Sequence, residues 1–80
     1  MTYQEWIDAY TFSLGGVSPK GMCGAATAAM ALYFLELRPV LGRVDTGDGN
    51  LHPHWWCVSP DGTILDPTAS QFQTILEYIE

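Results

Sequence analysis

Near the start of the chain, apolar residues recur at helical spacing: Trp6, Ile7, Tyr10 and Leu14. That stripe predicts a helix over residues 3–14. Thr2 with Glu5 offers a capping box at its start, and Gly15-Gly16 stops it. After the loop Val17-Ser18-Pro19-Lys20-Gly21, a second run extends from Met22 or Cys23 to Leu37. It is apolar nearly all round, through Ala25, Ala26, Ala28, Ala29, Met30, Leu32, Tyr33, Phe34 and Leu35. Such a helix belongs at the centre of a fold. Pro39 sets its end by disfavouring helical geometry at Arg38. The first half, Gly24 to Ala29, carries small side chains, which lets other groups approach closely, as a binding cleft over that end requires.

Beyond Pro39 the pattern changes to short strand-like runs. Val40-Leu41-Gly42-Arg43-Val44 predicts a strand, and Asp45-Thr46-Gly47-Asp48-Gly49-Asn50 a polar loop. The aromatic and β-branched run His54-Trp55-Trp56-Cys57-Val58 predicts a second strand. Ser59-Pro60-Asp61-Gly62 fits a type I turn, from which Thr63-Ile64-Leu65-Asp66 returns as a hairpin partner. Thr68 with Gln71 offers a second capping box, and Phe72, Ile75, Leu76 and Ile79 form a stripe for a final helix. The predicted architecture is α+β: two N-terminal helices, a three-stranded antiparallel sheet and a C-terminal helix, with the helices on one side. Folding back at the turn places Asp66 opposite His54 or within two residues of it. The pattern leaves that register open.

Composition narrows the classes. Eighty residues with 48% hydrophobic content and three tryptophans fit one small domain over residues 1–80; a chain of this length buries only about 60% of its unfolded surface. Two cysteines are too few for a disulfide scaffold. The opening Met1-Thr2-Tyr3-Gln4-Glu5-Trp6 lacks a basic start, so no signal peptide is expected, and no apolar stretch approaches a membrane span of about 20 residues. A reducing cytoplasm with both thiols free is the expectation. Nine acids stand against Lys20, Arg38 and Arg43, for a net charge of -6. That balance argues against nucleic acid and anionic membranes as partners. It suits a cationic protein partner or plain solubility.

The chemistry-bearing residues are Cys23 at a helix start, His54 on a strand and Asp66 at the end of the next one. A helix N-terminus and a neighbouring imidazolium both favour a thiolate. Cys23 is therefore the candidate nucleophile, His54 its base, and Asp66 the acceptor that orients the imidazole. The Cys23 backbone N–H is a candidate oxyanion donor; Gln4 and Asn50 are candidates for a second. Gly24, Trp55 and Trp56 are candidate substrate contacts, one tryptophan entering the core and the other walling the cleft.

Each of these residues also has a plain structural reading. A cysteine in an Ala-rich helix is commonly a buried small hydrophobe, His54 can cap a strand, and Asp66 before Pro67 is an ordinary helix-entry residue. His52, His54, Cys57 and Cys23 raise zinc as a rival, but the spacing is not a familiar knuckle, and residues 54 and 57 of a strand point to opposite faces. Asp45, Asp48 and Asn50 lack the spacing and terminal glutamate of a calcium loop. No metal or cofactor is expected.

On these residues the chain resembles the papain-like and transglutaminase-like cysteine enzymes. Gly21-Met22-Cys23-Gly24-Ala25 is similar to their loop-to-helix cysteine segment. His54-Trp55-Trp56-Cys57-Val58 resembles the histidine strand, and Gly62-Thr63-Ile64-Leu65-Asp66-Pro67-Thr68 the acidic strand that follows. The resemblance spans roughly residues 18–72 and keeps the order Cys, His, Asp. It implies a helix with the cysteine at its N-terminus packed on an antiparallel sheet, and acyl transfer through a thioester. Peptide or isopeptide hydrolysis, glutamine deamidation and transamidation all fall in that class, with a protein or peptide as substrate. Papain-type enzymes place a glutamine shortly before the cysteine; here that stretch holds Val17, Ser18 and Lys20. The alternative expectation is a non-catalytic acidic binding or inhibitory protein, of the phage or accessory type, that covers a basic partner surface.

Overall fold

Local chemistry sets the first helix as expected. In the computed structural model, which describes residues Met1–Glu80, α1 spans Tyr3–Ser13 with the reciprocal Thr2–Glu5 capping box formed. Helix α2 spans Cys23–Tyr33. It stops short of the expected Leu37 because Phe34 leaves helical geometry and a tight turn (Leu37 N–H to the Phe34 carbonyl, 3.0 Å) seats Leu37 in the core. Neither helix is long and apolar enough to cross a membrane.

Strands β1 (Arg38–Asp45) and β2 (Leu51–Val58) pair antiparallel along their whole length, Arg38 opposite Val58 and Asp45 opposite Leu51. Both run longer than the apolar pattern alone predicted. Strand β3 is only Ile64–Leu65, paired with Val58 and Cys57. The turn before it closes through the Gly62 N–H and the Ser59 carbonyl at 2.9 Å, and Gly62 takes a positive φ of 87°.

The C-terminal helix expected over residues 68–79 is not formed. Instead a short 3₁₀ turn at Ala69–Gln71 leads into extended chain and a fourth strand, β4 (Glu77–Ile79), on the free edge of β1. The sheet order is β3-β2-β1-β4. Thr68 makes no side-chain cap. Phe72, Ile75 and Tyr78, read from sequence on a helical period, reach the same core from extended chain. Short apolar runs rich in aromatic and β-branched residues satisfy either period, and the unpaired backbone of β1 decides between them.

Because side chains alternate along a strand, the sheet carries two distinct layers. On one face Val40, Val44, Trp56 and Val58 form a cluster covered by Phe72, Ile75 and Tyr78. On the other, Cys57 packs with Met30 and Leu37, joined by Trp6, Ile7 and Leu65. Both helices therefore share one face and the C-terminal segment covers the other. The hydroxyl of Tyr3 donates to Glu36 at 2.6 Å, tying α1 to the start of the sheet. Helix α2 is less central than its composition suggests: Ala26, Thr27 and Met30 are buried, while Leu32 and Tyr33 face solvent.

Gly42 makes the second layer possible. It lies opposite His54, and a Cβ there would collide with the Trp56 ring and the Ile79 carbonyl. A bare backbone at this point lets the indole lie across β1 and stay fully buried. Gly42→Ala is expected to destabilise the fold by about 1–3 kcal/mol, the usual cost of overpacking, measured by urea unfolding with an unchanged m value.

Candidate functional site

The parity of β2 decides what His54 meets. His54 and Trp56 point to the face covered by the C-terminal segment, whereas Trp55 and Cys57 point toward α2. The hairpin register pairs Cys57 with Leu65, so Asp66 follows on the His54 side, level with Trp56. Sequence had left this register open within two residues; the observed one brings acid and imidazole together.

His54 Nε2 and Asp66 Oδ2 are 2.8 Å apart, and the two side chains are 0% and 4% exposed. A carboxylate sealed from water needs donors for its lone pairs. Asp66 has three: the His54 ring, the Tyr78 hydroxyl at 2.9 Å on the same oxygen, and the Thr68 backbone N–H at 3.1 Å on the other. The last of these is a short-range turn of the kind aspartate makes with its own backbone. It starts the bend that continues through Ala69–Gln71. The same carboxylate therefore orients the histidine and shapes the chain that covers it. Phe72 stands edge-on to the His54 ring, centroids 5.0 Å apart, and Gln71 Nε2 lies 3.4 Å from His54 Nδ1.

Burial pushes the Tyr78 hydroxyl above the usual phenol range, with the Asp66 charge adding to it and then the hydrogen bond to the same carboxylate. The phenol therefore stays a donor at neutral pH. Burial also raises the Cys57 thiol from 9.0 to about 11, with the Asp66 charge adding to it. Its Sγ donates to the Thr27 carbonyl at 3.5 Å, so Cys57 is a core residue, as its flanking Trp56 and Val58 suggested.

Cys23 opens α2 as a half-buried free thiol. The expected contact from Cys23 to His54 is not made: the hydrogen-bonded chain runs Tyr78, Asp66, His54, Gln71 and stops. The reason is again strand parity. The helix that carries Cys23 packs on the Trp55 and Cys57 face, and His54 turns to the other. Gly24 and Trp55 do come together, around a cavity of about 320 Å³ shared with Thr27, Ala28 and Pro39. Trp56, expected as a possible substrate contact, is 1% exposed and belongs to the core. Of the oxyanion candidates, Gln4 donates along its own helix to Asp8 at 2.8 Å, and Asn50 sits in an exposed loop.

Gln71 and Tyr78 were not singled out from sequence. Gln71 was read as part of a helix cap and Tyr78 fell within a predicted helix. Donor counting alone does not single them out, because Thr68, Ser70, Gln73 and Thr74 follow the acid as well and Gln71 bonds the imidazole rather than the carboxylate. No three of the His, Cys, Asp and Glu side chains gather as a metal-binding group. Compared with models of known families, with curated proteins and with solved structures, the chain matches none.

Two outcomes follow from the burial. Tyr78→Phe removes one of three donors from a sealed carboxylate and is expected to cost about 1–3 kcal/mol in urea unfolding. The Cys57 thiol and Tyr78 phenol both have raised folded values, so their contribution is complete below the unfolded values and is lost as pH rises through the folded ones. Stability should fall from about pH 9 upward, and Cys57→Ala should flatten the part of that fall between 9.0 and about 11 in a pH series of thermal melts.

Proposed function

We propose that this chain is a small thiol hydrolase or acyltransferase acting on protein or peptide acyl groups. The observation that carries the reading is the sealed His54–Asp66 pair. Burying an imidazole against a carboxylate is costly and is offset only when the remaining polar atoms are hydrogen-bonded; buried, interacting titratable groups concentrate at functional sites. With Asp66 accepting from Nε2, the lone pair of the neutral ring sits on Nδ1, the arrangement a base needs. In this reading Cys23 comes round the open β2 edge to the ring and displaces Gln71, then loses its proton to Nδ1, and its sulfur attacks the acyl carbon. The carbon–nitrogen bond of a peptide, isopeptide or glutamine carboxamide then breaks, and the leaving nitrogen takes the proton back from His54. Water or an amine releases the acyl group from the thioester.

Two features support bringing Cys23 to the imidazole. Strand β3 pairs only with Cys57 and Val58, so the β2 edge from Leu51 to Trp56 has no strand beside it on that side. Ser18 and Pro19, just ahead of α2, share a surface cavity with Ser70. The loop that presents Cys23 thus neighbours the turn that carries Gln71. The cavity lined by Gly24, the residue after the thiol, and Trp55 offers an apolar place for the substrate. The papain-like or transglutaminase-like core belongs to this same proposal.

A second reading, an acidic protein that binds a basic partner without catalysis, is favoured by the full burial of the His54 ring and by the charge of -6. There Cys23→Ser leaves function intact, and neutralising Asp45, Asp48, Glu77 or Glu80 weakens binding in a salt-dependent way.

The deciding experiment uses p-nitrophenyl acetate as acyl donor and intact mass as readout. The thiol reading expects one acetyl group on Cys23, none on Cys23→Ser, and acylation slowed about 100-fold or more by His54→Gln or Asp66→Asn. The paired variant should lose little beyond either single one. Acylation of Cys23 at an unchanged rate in folded His54→Gln sinks the proposal.

A further inference from the structure

The amide of Gln71 occupies the one polar position on His54 that Asp66 leaves open. An ionised carboxylate only accepts, so the Asp66 bond places the ring proton on Nε2 and leaves Nδ1 as acceptor while the ring is neutral. The group at Nδ1 is Gln71 Nε2, at 3.4 Å, and Gln71 Oε1 is buried with no donor of its own. A primary amide carries two donors and two acceptor lone pairs on opposite arms. It can therefore serve either charge state of the ring by turning over, donating to a bare Nδ1 or accepting from Nδ1–H. A charged ring makes the second bond a charge-assisted one.

The backbone holds this amide in place. Asp66 Oδ1 accepts from the Thr68 N–H, and the Thr68 carbonyl accepts from the Gln71 N–H at 3.0 Å. Acid, imidazole, amide and turn thus close a ring of contacts that begins and ends on Asp66. The outer side of Gln71 lines a cavity of about 330 Å³ with Asp48, His52 and Phe72 among its walls. The titratable groups around the His54 ring are Asp66 from the end of β3, Tyr78 from β4, and His52 on its own strand, which is bonded to Asp48 at 2.9 Å and shares Phe72 with His54.

From this geometry we propose that Gln71 is a positioning residue. It holds the His54 ring by Nδ1, sets the balance between its neutral and charged forms, and stands where a nucleophile or substrate must displace it. The last consequence rests on the thiol reading above; the first two do not.

The test reads the ring itself. In protein labelled with ¹⁵N and ¹³C at histidine, His54 is titrated by NMR in wild type, Gln71→Glu and Gln71→Leu. The Glu variant only accepts, and should move the ring's protonation midpoint up by about one pH unit, a tenfold change in proton affinity. The Leu variant removes the acceptor and should move it down. Should the Glu variant not fold, the Leu variant decides alone. Midpoints within about 0.3 unit of wild type in every folded variant overturn the proposal. Iodoacetamide labelling of Cys23 in the same samples separates the two ideas. A moved midpoint with a Cys23 rate independent of Gln71 keeps the positioning role and removes the displacement step.

Discussion

A carboxylate sealed from water organises this molecule. The Asp66 side chain is only 4% exposed, between His54 and Tyr78, and an ionised acid so buried is tolerated only when its oxygens are met by donors. The three it receives come from β2, from β4 and from its own turn. One acid thus ties together parts of the chain that are separate in sequence, including the strand at the far edge of the sheet. With the β1–β4 ladder, the Tyr78 donor fixes where the C-terminal segment lies across the sheet.

The same constraint divides the domain into two layers with different characters. The face shared by the helices is built from Met30, Leu37, a buried thiol and the rings of Tyr3, Trp6 and Phe34, with Trp55 as a wall, and its cohesion is hydrophobic. The opposite face mixes Trp56, Phe72 and Tyr78 with the imidazole, the acid and the amide. Here aromatic edges surround polar groups that bond one another, which lowers the local dielectric and strengthens each bond. The candidate chemistry follows the division: the imidazole and acid belong to the polar layer and the thiol to the helix of the apolar one.

Much of this was readable from residues. The Thr2–Glu5 cap, the Ser59–Gly62 turn and the hairpin that brings Asp66 near His54, though not its register, are local or nearly local facts, set by side-chain bonds to nearby backbone or by a tight loop. What escaped is nonlocal. Residues 72–79 carry apolar groups that serve a helix or a strand equally well, and only the empty edge of β1 selects the strand. The end of α2 was misplaced because Leu37 is claimed by the core before the helix is finished. The link from Cys23 to His54 was expected from the order of residue types, an order that says nothing about which side of a strand a side chain leaves.

The strict alternation of β2 has a consequence for how the chain can change over generations. Substitutions along Leu51–Val58 alter one layer at a time, but an insertion or deletion of a single residue between His54 and Cys57 would put the two side chains on the same face. Either the imidazole would turn toward the helices or the thiol toward Phe72. Length variation should therefore gather in the polar loop ahead of Leu51 and at the tip of the following hairpin, where an extra residue leaves the alternation of every strand untouched.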